Sequence, residues 1–300
     1  MNEVKAHACC LMDQLKFSAD AQQEFLLAFE KITGAVETNK AFAELLQQYE
    51  ENEHCEYKQM LSKMVALGEN YNIHPYTGSM LLFLCLSKTL LERYHSRGID
   101  ESIYYCSMAD LAYKLEECRL VYGIHGSFVA SWFAGFFALK RFGLGRLQFE
   151  IVSTSEDYRL GGALIPAGSK AINVHIPRTG TKLPHSAVEE SYRLAAKMFA
   201  GEFEDQPILF TCKSWLLDPW NQTILKPESN LALFCNDFEI VKSGYYEGYG
   251  ELWRLFDCQY MGDASRLPRN SSLRCAYADR VGRGEPIGWG IGLFFHRGLN

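Results

Sequence analysis

Residues 171–219 constrain the fold most, because they read as two strands joined through one helix by short connections. A strand is predicted over Ala171 to Ile176 and another over Ile208 to Cys212, both rich in β-favouring residues. The intervening helix is amphipathic and opens on an S-x-x-E capping box, Ser186 and Glu189. This order of elements favours a parallel strand pair with a right-handed crossover.

The hydrophobic periodicity changes at Arg141 to Gly145, where a glycine-rich hinge separates two kinds of pattern. At 300 residues the chain also exceeds a typical single domain of ~100–200 residues. We predict a helical N-terminal domain over residues 1–142 and a mixed domain over residues 143–300. The predicted fold class is α+β, an all-helical domain followed by a mixed sheet with helices packed on it.

The N-terminal part shows roughly six helices and no strand signal. Pro75 is placed to open one of these helices and Asp100 to cap the next. The apolar run from Phe128 to Leu139 predicts the last helix of this domain.

The last seventy residues carry weaker signals. We predict one or two strands over Leu231 to Tyr246 and a final strand over Ile287 to His296. In the final strand Gly288, Gly290 and Gly292 fall on one face. A face without side chains lets another backbone, a bulky ring or a ligand come close.

Charge and composition exclude several classes of protein. The formal charge of −6 removes the usual electrostatic basis for non-specific nucleic-acid binding. Ten cysteines without a C-x-x-C pair predict reduced thiols rather than zinc ligands or a disulfide scaffold, and no metal is expected. No apolar run approaches the ~20 residues of a membrane span, and no signal peptide is evident. We predict a cytoplasmic protein without membrane insertion; the sequence does not indicate its oligomeric state.

The turn between the first strand and the helix is basic, since it contains Arg178, Lys182 and His185 and no acid. Helix N-termini present unpaired N–H groups and a partial positive charge, so this turn is a candidate seat for a phosphate. A nucleotide-like or CoA-like ligand would fit it. The alternative is a solvated surface turn, and Pro184 removes one donor.

Three residues at the strand ends are candidates for catalysis. His175 lies at the end of the first strand and is a candidate base, although a structural histidine is the alternative. Cys212 ends the second strand and is a candidate nucleophile if it faces His175, or a buried thiol if it does not. Ser214 follows at the strand terminus, where α/β enzymes place substrate contacts.

Two phrases carry a family resemblance, Val174-His175-Ile176-Pro177 and Thr211-Cys212-Lys213-Ser214-Trp215-Leu216-Leu217-Asp218-Pro219. With the helical domain before them, they resemble bacterial acyltransferase-domain proteins that join an N-terminal helical N-acyltransferase domain to a C-terminal GNAT-like (GCN5-related N-acetyltransferase) domain. The resemblance implies that acetyl-CoA or a longer acyl-CoA lies in the splay between the two central strands. The co-substrate contacts that it implies are Ile176, Arg178, Thr179, Gly180, Thr181 and Lys182.

The leading hypothesis is an acyl-CoA-dependent N-acyltransferase that transfers the acyl group directly from the thioester to an amine. His175, or a water it orients, would deprotonate the amine, and a strand N–H near Ile176 would polarise the carbonyl. The acceptor is a small amine, an amino acid or a protein. The altered glycine spacing, Arg178-x-Gly180, motivates a second hypothesis, a non-catalytic domain that binds acyl-CoA or another ligand as a sensor or accessory protein. A third is a thiol enzyme using His175 and Cys212.

Overall fold

The first 143 residues fold almost entirely into helices, in a computed structural model that describes residues 1–203 and 207–296. The long helices are α1 (Asn2–Gln14), α2 (Ala19–Thr33), α3 (Val36–Glu51), α4 (Tyr57–Glu69), α5 (Pro75–Ser96) and α6 (Glu101–Tyr122). As predicted, Pro75 opens α5, where its missing N–H leaves no partner unsatisfied. The side chain of Asp100 caps α6 by accepting a hydrogen bond from the N–H of Ser102.

The prediction of one helix over Phe128 to Leu139 is wrong. This segment forms a 3₁₀ turn over Ala130–Phe133 and then a single turn of helix, α7 (Ala134–Phe137). The side chains of Phe133, Phe136 and Phe137 are at most 1% exposed. The run is therefore apolar because it fills the core of the helical unit, not because it forms one face of a long helix.

The chain divides into two compact units, Met1–Gly143 and Leu144–Asn300. The strands are β1 (Arg141–Leu144), β2 (Leu147–Ser153), β3 (Tyr158–Leu160), β4 (Ala163–Ile165), β5 (Lys170–His175), β6 (Ile208–Ser214), β7 (Glu239–Tyr245) and β8 (Gly288–His296). Six of them form a sheet in the order β1-β2-β5-β6-β8-β7, and β3 pairs with β4. The sheet is mixed, because β5 and β6 are parallel while β6 and β8 are antiparallel. The α+β prediction and the parallel pair are confirmed.

The helix between the parallel strands, α8 (His185–Met198), covers one face of the sheet. Its Tyr192 ring lies 5.5 Å from the ring of Phe210 on β6 and 5.0 Å from that of Phe294 on β8. On the other face, Tyr158 of β3 and Ile165 of β4 pack against Leu209, Leu293 and Ala171. The sheet therefore has an aromatic core beneath α8 and a second, partial cover on the opposite side.

Shorter helices complete the second unit: α9 (Asn221–Ile224), α10 (Asn230–Asn236), α11 (Trp253–Phe256) and α12 (Ser272–Gly282). The expected strand signal over Leu231 to Tyr246 is correct only for β7. Its first part is α10, which Ser229 caps by accepting from the N–H of Ala232. A short apolar run fits a buried helix as well as a strand, and here the cap determines the outcome.

As predicted, the glycine face of β8 lies in close contact with other segments of the same polypeptide. A Cβ at Gly290 would lie 2.1 Å from the backbone oxygen of Leu217, and one at Gly292 would lie 2.6 Å from the Cβ of Phe238. At Gly288 the near neighbour is the carboxylate of Asp218, which accepts hydrogen bonds from the Gly288 N–H and from Arg280. These glycines serve close packing of the sheet rather than a ligand.

Within the described ranges, no helix has both the length and the apolar content needed to cross a bilayer. All ten cysteines are free thiols.

Candidate functional site

The parallel strands β5 and β6 separate soon after they pair. Their ladder joins Ile172 to Phe210 and Asn173 to Thr211 and goes no further within the described strands, although β5 continues to His175 and β6 to Ser214. Beyond Asn173 and Thr211, the backbones of the two strands therefore do not pair with each other. The carboxyl ends of parallel strands are where open sheets bind ligands, and this gap lies at such ends.

One face of the sheet is polar beside this gap. Glu150 of β2 stands opposite Asn173 in the antiparallel register, and His175 follows two residues later on the same face. Thr211 is directly across the parallel ladder from Asn173, so Thr211 and Lys213 also lie on this face. The gap between the strands is thus bordered by groups that can bind a proton or an amine.

The centre of this polar face is a carboxylate–imidazole pair. The His175 Nε2 lies 2.6 Å from the Glu150 Oε1 and 3.0 Å from the Asn173 Nδ2. The two side chains of the pair are 22% and 18% exposed, so both remain reachable by a substrate. An imidazole held by a carboxylate in this way can act as a general base.

The loop over residues 176–184 follows β5 directly. Ile176 is its first residue and is half-buried, whereas Gly180, Thr181 and Lys182 are exposed. Gly180 has φ +73°, a left-handed conformation that favours glycine, and a Cβ there would meet no atom within 4 Å. The Thr179 hydroxyl lies 2.8 Å from that of Thr181 and accepts from the Thr181 N–H. The loop is therefore exposed to solvent, and hydrogen bonds between two of its threonines stabilise its turn.

Acidic residues from elsewhere in the chain neutralise part of this basic turn. The Arg178 guanidinium forms an ion pair with Asp257, with Nε 2.7 Å from Oδ1 and Nη2 donating to Oδ2 at 2.8 Å. His185 pairs with Asp237 at 2.8 Å. Burial raises the pKa of the Asp237 carboxyl, against the effect of its hydrogen bond to His185. Lys182 makes no such pair with any described residue, so it is the cation of the turn that remains exposed.

The N-terminus of α8 faces the end of this loop without a side-chain cap. The helix begins at His185 with Pro184 as its N-cap residue, and no side chain accepts a hydrogen bond from its first amides. The predicted capping box is therefore wrong, because Ser186 lies inside the first turn rather than before it. The Ala187 and Val188 N–H groups donate to the Pro184 oxygen, so the His185 and Ser186 N–H groups are the ones that an external anion can reach.

Cys212 and Ser214 do not lie with His175. Because Asn173 and Thr211 are directly paired, His175 shares a face with Thr211, while Cys212 and Ser214 share the opposite one. Cys212 is fully buried, and burial raises the pKa of its thiol. The Ser214 hydroxyl accepts from the N–H of Leu216 and caps a 3₁₀ turn. A His175–Cys212 pair thus has no geometric basis: Cys212 has a packing role, and Ser214 caps a turn.

A small pocket opens where β6 ends. It is lined by Trp215, Tyr246, Glu251, Leu252, Arg254, Leu255, Tyr277 and Ile287. Burial raises the pKa of Tyr246, whose phenol therefore remains protonated near neutrality. The lining is mostly aromatic and aliphatic, and Glu251 and Arg254 are its charged members.

Sequence reasoning missed Glu150, Asn173, Asp257 and Asp237. Two of them carry a signal that strand periodicity provides: Asn173 and His175 are two residues apart, and Glu150 is the acid of an alternating strand. The pairing of Asp257 with Arg178 spans 79 residues, and no local pattern indicates it.

Two family models match this chain. The model of the GNAT-like C-terminal domain matches residues 142–294, and that of the N-acyltransferase N-terminal domain matches residues 8–139. These matches confirm the resemblance that the two sequence phrases indicate. No curated protein sequence matches the chain.

Solved structures share the fold. One is an acyltransferase in complex with decanoyl-CoA and teicoplanin, with 20% identity and a TM-score of 0.71, covering 96% of this chain and 87% of that one. A second, an acyltransferase in complex with decanoyl-CoA, has 21% identity, the same TM-score of 0.71 and coverages of 96% and 86%. A third, in complex with CoA and 10C-teicoplanin, has 19% identity, a TM-score of 0.71 and coverages of 96% and 87%.

Proposed function

The chain belongs to the GNAT-like C-terminal domain family, and on that premise we propose that it is an acyl-CoA-dependent N-acyltransferase. It moves an acyl group directly from the thioester of acyl-CoA to an amine. The observation that carries this proposal is the short ladder between β5 and β6, which ends after two residue pairs beside a carboxylate–imidazole pair and an open basic loop. The acyl-CoA complexes of proteins with the same fold support the choice of donor.

The donor's phosphates fit the loop after β5. The exposed Lys182 and the first amides of α8 attract an anion, and the turn at Gly180 leaves open space for it. The local charge there is positive although the whole protein is acidic. Arg178, Thr179 and Thr181 complete this contact surface. The thioester would then lie in the gap between the strands, with its carbonyl near the backbone N–H of Ile176.

The acceptor amine approaches from the polar face of the sheet. The amine nitrogen attacks the thioester carbonyl carbon, and the His175 imidazole accepts the proton that the nitrogen loses. Glu150 stabilises the imidazolium that forms, because its carboxylate is 2.6 Å from the His175 Nε2. Collapse of the tetrahedral intermediate releases the CoA thiolate, which takes up a proton. Neither Cys212 nor Ser214 takes part in these steps.

The acceptor in this proposal is a small-molecule amine or an amino acid. The complex of a similarly folded acyltransferase with teicoplanin fits a small-molecule second substrate. Ten free cysteines support a reducing compartment, and we place the reaction in the cytoplasm.

A transfer assay tests the proposal. The protein is incubated with acetyl-, octanoyl- or decanoyl-CoA and a panel of amines, while released thiol and acylated amine are measured. We expect amine-dependent release of CoA, without an acylated protein intermediate. Binding of CoA with no transfer to any amine would instead favour the sensor hypothesis, and an acyl-cysteine trapped on the protein would favour the thiol enzyme.

His175→Gln is the informative variant in this assay. We expect kcat to fall by about a hundredfold or more while the KM for acyl-CoA changes little, because general bases contribute on that scale. His54→Gln is the matched control, since His54 is an exposed histidine whose side chain is 56% accessible. An unchanged kcat in the His175 variant would contradict the assigned role.

A further inference from the structure

The ion pair between Arg178 and Asp257 uses only one edge of the guanidinium. Nε and Nη2 face the two carboxylate oxygens of Asp257, at 2.7 and 2.8 Å. Nη1 makes no hydrogen bond within residues 1–203 and 207–296. A guanidinium has five N–H donors in a rigid fork, so the opposite edge of Arg178 still carries donors for a second anion.

Asp257 is itself rigidly held. It follows the last residue of α11, and its N–H donates to the Trp253 oxygen. Its φ of +58° is left-handed, a conformation that asparagine and aspartate tolerate better than most residues. The carboxylate is only 16% exposed. Asp257 is therefore a fixed point to which the Arg178 guanidinium is bound.

A second arginine compensates the charge of Asp257. The Arg274 Nη2 donates to the Asp257 Oδ2, while Nε donates to the Leu255 oxygen and Nη1 to the Asn270 side chain. Each of the three guanidinium nitrogens of Arg274 thus already donates one hydrogen bond. The three charged groups together retain one positive charge, and the free edge of Arg178 is where it can meet a ligand.

We propose that Asp257 is a positioning residue that orients Arg178 in the loop after β5, so that the free edge of the guanidinium is ready for a CoA phosphate. The inference rests on the proposed function. An arginine held in advance loses less side-chain entropy on binding than a free one, and this strengthens the phosphate contact. The pair also connects the loop after β5 to α11, whose residues Arg254 and Leu255 line the pocket at the end of β6.

Asp257→Asn distinguishes this positioning role from simple repulsion between the carboxylate and CoA, because the two predict opposite changes in CoA binding. If Asp257 acted only as an acid near an anion site, its neutralisation would tighten the binding of CoA. Positioning predicts the opposite: the Kd for CoA and the KM for acyl-CoA rise about tenfold, as on loss of an orienting carboxylate at metal sites, while kcat stays unchanged. Asparagine keeps the left-handed backbone conformation accessible, so folding is preserved.

The experiment is a double-mutant cycle with CoA binding measured by calorimetry. Arg178→Ala, Asp257→Asn and the double variant are compared with the wild type, and Asp279→Asn is the control because Asp279 forms an exposed ion pair with Arg269. We expect the double variant to bind no more weakly than Arg178→Ala alone. Additive losses, or equal or tighter binding by Asp257→Asn, would overturn the inference.

Amide hydrogen exchange of residues 176–184 in the ligand-free protein gives a readout independent of CoA. Asp257→Asn should speed exchange in this loop, and Asp279→Asn should not; equal exchange in both would overturn the positioning role. A wild type that fails to bind CoA would overturn the proposed function, whereas a wild type that binds CoA without coupling between the two residues would overturn only this inference.

Discussion

The ionisation of individual side chains decides which residues can act as bases and which as nucleophiles. His175 is accessible and held by Glu150, so its ring can accept a proton from a substrate. Cys212 is fully buried, and the raised pKa of its thiol disfavours the reactive thiolate. In the proposed mechanism, these two candidates of the sequence analysis therefore have different roles.

Cys212→Ala should leave turnover within about twofold of the wild type, and should lower the free energy of unfolding by about 1 kcal/mol because a buried sulfur is lost. In the native protein an alkylating reagent should modify the exposed Cys10 while Cys212 is protected. Peptide mass mapping and urea unfolding check both expectations. Loss of turnover in a variant that remains folded would restore Cys212 as a catalytic candidate.

The sequence permits prediction of only part of the site. His175 and the basic turn follow from local pattern, since a strand end and a helix start lie within ten residues of each other. Their charge partners do not: Glu150, Asp237 and Asp257 are between 25 and 79 residues distant along the chain. In the sequence the turn contains three basic residues and no acidic one. Only the tertiary structure shows that two of the three, Arg178 and His185, already form ion pairs with distant carboxylates.

At the scale of elements, local signals predict structure where they are specific, and fail where burial replaces periodicity. Pro75 and Asp100 mark helix starts by direct backbone chemistry, and both predictions are confirmed. The apolar runs at Phe128 to Leu139 and Leu231 to Tyr246 do not indicate one type of secondary structure, because a buried helix, turn or strand is apolar on every side. In the second run, the cap formed by Ser229 favours a helix, and the hydrophobic pattern alone does not indicate this.

The tight packing of β8 gives a prediction at this scale. Gly290→Ala should lower the free energy of unfolding by about 3 kcal/mol, because the added Cβ would lie 2.1 Å from the Leu217 oxygen and backbone must move. Gly250→Ala is the control, since its Cβ would meet nothing within 4 Å, and it should change stability by less than about 0.5 kcal/mol. Equal stability of the two variants, measured by urea unfolding, would contradict the close packing of the sheet against Leu217.

At the scale of the whole molecule, the chain combines a helical unit with a mixed-sheet unit, and both family models match in that order. The protein carries a net charge of −6, yet the proposed ligand is itself an anion. Binding must therefore depend on the local positive groups of the loop after β5 and α8, which overcome the repulsion of the whole chain at short range.

Thermal unfolding with and without CoA tests the central claim, that this chain binds an acyl-CoA at that loop. A ligand at about 100 times its Kd adds about 2.7 kcal/mol of stability, so millimolar CoA or octanoyl-CoA should raise the Tm by roughly 5–10 °C. Arg178→Ala combined with Lys182→Ala should reduce this rise more than it lowers the Tm of the ligand-free protein. A wild-type Tm that does not change at millimolar CoA or acyl-CoA would contradict the claim.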